Sequence, residues 1–192
     1  YPLVKLGRTI KLRLYPDTNQ AEQFLAMSQE YQRLANIVSQ WIFDHDFQLS
    51  WLKINHHLYK IFRQKSELNS QMIQSVFRTV SARYKTVREQ MKQHPYRYKN
   101  AENKWTQVSR DLNWLVKPIQ FRRPQADLVR QSNYSFVNGM TQISITTLGK
   151  RTKLAFTNKG FEDYFQGDWK LGTGKLVHNQ GKWFLHIGIT KD

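Results

Sequence analysis

The chain has 192 residues, with thirty Lys and Arg against fourteen Asp and Glu, a net charge of +16 and an isoelectric point near 10.1. It contains no cysteine, which excludes disulfides and thiolate metal sites and fits a reducing compartment, and its longest apolar runs fall far short of the ~20 residues that span a bilayer. Cations in such excess, mixed with six Trp, nine Tyr and eleven Phe, point to a polyanionic partner, nucleic acid first, because cations neutralise phosphates and rings offer stacking faces.

A hydrophobic fraction of 40% is enough for a core, and the aromatic content argues against global disorder despite a mean hydropathy of -0.67. Tyr1 to Lys5 carry neither a signal-peptide h-region nor an initiator Met, so a trimmed chain is expected. No basic amphipathic helix stands out as a membrane-surface element, and no membrane partner is expected.

Arg8 to Tyr15 alternate apolar and basic residues, with Ile10, Leu12 and Leu14 on one face and Lys11 and Arg13 on the other. That pattern predicts a half-buried strand with a cationic outer face. Pro16 ends it, and Asp17 with Gln20 reads as a capping box opening a helix. The apolar period then changes: Phe24, Met27, Tyr31, Leu34, Val38 and Trp41 predict a long helix over 18–46. A shorter helix is predicted over 51–64 with Leu58, Ile61 and Phe62 inward. A third follows from Ile73, Val76, Phe77, Val80, Tyr84, Val87 and Met91, and its other face carries Arg78, Arg83, Lys85, Arg88 and Lys92. His94-Pro95 closes it. Over 96–113 the pattern is ambiguous, with Trp105, Val108, Leu112 and Leu115 allowing a fourth helix.

After Pro118 the chain is strand-like. Phe121 to Pro124 reads as an exposed basic segment, and Tyr134–Val137 and Gln142–Ile145 flank Asn138-Gly139 as a hairpin. Short strands are predicted over 153–156, 170–178 and 182–190. Two β-rich pieces thus bracket a helical one. The expected fold class is α+β: a discontinuous, oligonucleotide-barrel-like β-barrel from residues 1–17 and 115–192, with a helical insert over 18–114.

The catalytic inventory is thin, with no P-loop, GxGxxG, HExxH or GxSxG. Asp44-His45-Asp46 and His56-His57 are the nearest thing to a metal constellation, but residues two apart on a helix do not share a face. No catalytic residue, metal ligand or cofactor is assigned.

Several strings resemble, in order, the N-terminal half of TnpB, the OrfB-type RNA-guided nuclease family of insertion sequences, to which type V CRISPR effectors are related. KLRLYPDTNQAEQF at 11–24 is similar to the family's first strand, corner and helix. Gln74-Ser75-Val76-Phe77 with Ala82-Arg83-Tyr84-Lys85, Ile119 to Arg123, Tyr134-Ser135-Phe136, Ile145 to Lys150 and Gly174 to Val177 resemble its later motifs, although Thr146-Thr147 stands where the family usually has Leu-Pro. The resemblance implies a wedge barrel plus a recognition bundle, with the RuvC-like nuclease domain absent from this chain. Magnesium and zinc are then expected only in that missing half. It further implies a guide RNA and double-stranded DNA at a short adjacent motif as partners, and a prokaryotic cytoplasmic setting.

Position by position, the resemblance places motif-reading residues at Trp51, Asn55, Ser70, Gln74 and Val137. For RNA, the cations in or beside the barrel strands are favoured: Lys11, Arg13, Arg122, Arg123, Lys150, Arg151 and Lys153. Alternatives are a TnpB-like repressor with a dead or missing nuclease and a generic single-strand binder; the coding sequence beyond Asp192 separates the first from a nuclease.

Overall fold

The structure is a computed structural model that describes residues 5–192; residues 1–4, part of the expected first barrel segment, lie outside them. The first strand, β1 (Leu6–Leu14), buries Ile10, Leu12 and Leu14 and leaves Lys11 exposed, as its alternation requires. Three helices follow: α1 (Thr18–Asp44), α2 (Trp51–Lys65) and α3 (Ser70–Gln93). The capping box opens α1, with the Asp17 carboxylate accepting from Gln20 N at 2.8 Å and the Gln20 side chain accepting from Asp17 N at 3.0 Å. Such a cap stabilises a helix by about 1 kcal/mol.

Two expectations about the helices need correction. Ile61 is exposed, and Ile54 joins Leu58 and Phe62 on the buried stripe of α2; the 54–58–62 spacing keeps closer to one face than 58–61–62 does. The fourth helix does not form. Residues 96–108 make a two-stranded hairpin, β2 (Tyr96–Lys99) and β3 (Trp105–Val108), and Leu112–Trp114 form a single 3-10 turn. Asn100 secures the hairpin turn, its Oδ1 accepting from the backbone of Glu102 and Lys104 at 3.0 Å, and Asn103 takes φ 60° there.

The remaining strands are β4 (Ala126–Leu128), β5 (Tyr134–Val137), β6 (Gln142–Ile145), β7 (Thr152–Thr157), β8 (Lys170–Asn179) and β9 (Lys182–Lys191). They pair antiparallel with β1 in the order β4-β8-β9-β1-β7-β6-β5. β1 is therefore central, laddered to β9 from Leu6↔Lys191 to Leu14↔Trp183 and to β7 through Arg13↔Thr157. The two ends of the order, β4 and β5, are joined by residues 129–133 alone, so the sheet curls into a nearly closed barrel. The protein is α+β, with the barrel split across the chain as expected; the short strand β4 was not foreseen.

One continuous core joins barrel and helices, with Phe24 of α1 edge-on to Trp183 of β9 at 5.6 Å. Gly174 sits where β8 passes closest to the barrel filling: a Cβ there would lie 2.9 Å from Leu185 Cδ1. Helices and sheet are also tied by a polar knot. Ser75 Oγ donates to Asp127 O at 2.7 Å, Thr79 Oγ1 lies 2.5 Å from Asp127 Oδ2, and the buried Tyr31 hydroxyl touches both Ser75 and Thr79 at 2.9 and 2.8 Å.

Candidate nucleic-acid interface

A polar line on α1, Gln32, Asn36 and Ser39, holds an extended segment against the helix. Asn36 Oδ1 accepts from Phe121 N at 2.8 Å, while Gln32 Nε2 and Asn36 Nδ2 donate to Phe121 O at 2.8 and 3.1 Å. Ser39 Oγ donates to Ile119 O, and Tyr84 Oη accepts from Ile119 N at 3.2 Å. Spacings of four and three residues put these side chains on one helical face. With its backbone fixed, the segment turns Arg122 and Arg123 to solvent.

Those two arginines line a cleft of about 770 Å³ between α3 and residues 115–127, together with Arg83, Lys117 and Lys175. Asp127 is the single carboxylate in its wall. Arg123, Gln125 and Lys175 also line an adjoining cleft of about 630 Å³ that runs over β8 towards His178 and His186. The two form one groove because they share those residues.

The groove continues onto the barrel. Cross-strand register aligns Asp127 of β4, Lys175 of β8, His186 of β9 and Lys11 of β1 in one row. Burial first, then Lys11 and Lys175, hold the His186 pKa below 6.5. Burial lifts Asp127 above the ordinary 3.8, against the opposing effects of the Thr79 hydrogen bond and the Lys175 charge. The next row carries Arg13 between Thr157 and Phe184, with its guanidinium 5.1 Å from the Tyr15 ring centroid and 5.7 Å from that of Phe184.

Of the seven cations favoured for RNA, Arg122 and Arg123 thus lie in the groove, and Lys11 and Arg13 lie on the rows beside it. Lys153 is exposed on β7 and Lys150 is exposed in the β6–β7 turn. Arg151 is occupied within the protein: its guanidinium donates to Ser144 Oγ, Ser135 Oγ and the carbonyls of Gln131, Ser132 and Ser144. A phosphate there would meet its charge but no free N–H. Arg83, Lys117, Lys175 and His186 were missed as site residues. The outward phase of β8 and β9 is a signal that could have found the last two; Lys117 had none.

The motif-reading set is gathered only in part. Ser70, Gln74 and Arg78 follow at one-turn spacing on α3, and the Arg78 guanidinium lies 4.4 Å from the Trp51 ring centroid, so this line runs beside the start of α2. Gln74 is half-buried between buried Ile73 and Ser75. Asn55 stands one turn after Trp51, its buried Oδ1 without a hydrogen-bond partner. Asn69 Nδ2 donates to Thr146 Oγ1 at 3.1 Å, which attaches the start of α3 to the Tyr134–Ile145 end of the β5–β6 ladder. Val137 is at the other end, about 10 Å along the strand at ~3.4 Å per residue.

Among the described residues, no group of three His, Asp or Glu side chains is placed to hold a metal ion. His45 stacks on Trp41 with ring centroids 4.2 Å apart, and His57 lies 5.4 Å from the same indole. No described helix is long and apolar enough to cross a membrane. No known protein family's sequence model matches the chain, and no curated protein matches it.

Proposed function

We propose that the chain is the nucleic-acid-binding portion of an RNA-guided, DNA-targeting protein of transposon origin, in which the barrel acts as the wedge and the helices as the recognition unit. The observation that carries this reading is the groove, where five cations from α3, the 117–123 segment and β8 line the wall with one half-buried carboxylate. A phosphate backbone fits such a surface, because each neutralised phosphate releases a condensed counterion. Lys11 and Arg13 extend the same surface across the barrel, at a scale suited to the scaffold of a folded guide RNA. In guided systems the protein holds RNA by shape and backbone and reads only a short duplex motif. The Ser70–Gln74–Arg78 line beside Trp51 and Asn55 is the motif reader in this assignment. Gln and Asn can pair with adenine in the major groove, and Arg with guanine.

The test is binding of a folded RNA hairpin by the purified chain across a salt series. Affinity should fall by ~10³ or more between 50 and 200 mM salt if six or more phosphates are contacted. A flat salt response would remove the polyanion reading altogether.

A further inference from the structure

The hairpin β2–β3 pairs with no other strand among the described residues, and nearly all of it is exposed. Its two faces differ. Strand alternation and register put Tyr96, Tyr98, Thr106 and Val108 on one, and Arg97, Lys99, Trp105 and Gln107 on the other.

On the first face the Tyr98 and Tyr96 rings stack at 5.9 Å, and Trp114 continues the run 5.9 Å from Tyr96. On the second, Trp105 is 72% exposed, Lys99 Nζ lies 5.4 Å from its ring centroid, and Arg97 and Gln107 border the same recess. Folding does not account for these rings: burying one large side chain stabilises a fold by ~1.5–3 kcal/mol, and here four stay 38–72% exposed. An exposed aromatic patch of this kind marks a contact surface. The local charge selects the partner. From His94 to Lys117 there are Arg97, Lys99, Lys104, Arg110 and Lys117 against Glu102 and Asp111.

We infer that this hairpin is a stacking finger for unpaired nucleotides of an RNA strand, an assignment that rests on the nucleic-acid reading above. Rings interleaved with cations match the base–phosphate alternation of a single strand. A duplex hides its base faces within the stack and offers these rings nothing. An acidic peptide would satisfy the cations but not the run of rings, and a lipid surface would call for an aliphatic wedge, for which the two strands of the hairpin offer Val108 alone.

The experiment measures binding of the full chain to a short oligouridylate, to an abasic strand of equal length and to a duplex RNA. Trp105→Ala should weaken oligouridylate binding about 5- to 150-fold, equivalent to ~1–3 kcal/mol for one stacked base. Abasic-strand and duplex affinities, and the salt slope, should hardly change, because no charge is removed. Trp105→Phe, which keeps a ring, should restore most of the oligouridylate affinity. Trp105 is exposed, so its loss leaves the core intact. If the wild-type chain binds RNA with steep salt dependence but prefers oligouridylate no more than the abasic strand, the finger is wrong and the broader reading stands. If it binds none of the three, both fall. Self-association that depends on Trp105, with unchanged oligouridylate affinity, would overturn the finger in favour of contact between copies.

Discussion

The Tyr31 hydroxyl and the Asp127 carboxyl are linked through Thr79 Oγ1, which lies 2.8 Å from the first and 2.5 Å from the second. Four oxygen–oxygen contacts join Tyr31, Ser75, Thr79 and Asp127: Tyr31–Ser75, Tyr31–Thr79, Ser75–Asp127 O and Thr79–Asp127 Oδ2. Three hydroxyls supply one hydrogen each. Ser75 and Thr79 spend theirs on Asp127, so the Tyr31 hydrogen serves only one of its two contacts and the knot is one hydrogen short. Burial raises the Asp127 pKa, and the Thr79 hydrogen bond opposes that shift.

Asp127→Asn should therefore be stabilising near neutral pH, since its amide N–H supplies the missing hydrogen without a charge. A raised folded pKa contributes stability that is fully present below the ordinary 3.8 and lost as pH rises through the folded value. The melting temperature of Asp127→Asn minus that of the wild type should therefore grow as pH rises from below 3.8 to 7. A constant difference would mean that folding leaves the Asp127 pKa at its ordinary value.

Gly174→Ala should cost about 1–3 kcal/mol, because the new methyl must displace Leu185 at 2.9 Å inside a packed barrel. Urea denaturation reads this directly. Glycines at open positions, such as Gly188, with nothing within 4 Å of an added Cβ, serve as the control.

Arg122→Ala with Arg123→Ala should weaken folded-RNA binding and lower the slope of log affinity against log salt by ~1–2, at ~0.7–0.9 per lost phosphate contact. The same loss with an unaltered slope would place both residues outside the ion-release surface. Arg151→Ala should instead reduce stability, because its internal bonds join residues 131–135 to β6.

RNA binding in the proposed groove should depend on pH through His186. Its pKa is depressed in the free protein by burial and then by Lys11 and Lys175. A phosphate strand over those lysines offsets their charge and lets the ring take up a proton, so affinity should rise as pH falls below 6.5. His186→Gln should remove that increment. In the free protein the sign is opposite: a depressed histidine contributes stability that is present above 6.5 and lost as pH falls through its folded pKa.

Gln74→Ala should lose discrimination at one base of a duplex motif by ~1–3 kcal/mol and leave RNA affinity nearly unchanged. Selection from a randomised duplex library, with RNA bound, measures both. An equal loss for every motif sequence would make Gln74 a packing residue.

The barrel strands were legible because alternation has a short period and survives local ambiguity: Ile10-Lys11-Leu12-Arg13-Leu14 needs no partner to declare its two faces. The helices were legible from Phe24 to Met91 for the same reason at a longer period. The 96–108 hairpin was not, because Trp105, Val108 and Leu112 satisfy a helical spacing while Tyr96 and Tyr98 satisfy an extended one, and the Asn100 turn decides between them. The groove was half legible. Arg122 and Arg123 stand out in any reading, but Lys175 becomes a site residue only through its register with Asp127 and His186. Nothing in a one-dimensional reading showed that Arg151 folds back on its own hairpin.

The central place of β1 has a consequence for how the polypeptide comes off the ribosome. β1 has its longest ladder with β9, roughly 170 residues later in the chain, an interval of about 10–30 s at ordinary synthesis rates. Until then Ile10 and Leu12 have no ladder and Leu14 has only the short one that β7 offers, while α1 to α3 can already associate behind them. The nascent chain is exposed to mispairing and to chaperone capture throughout that wait, and a premature stop before Lys182 would leave β1 held only by its short contact with β7.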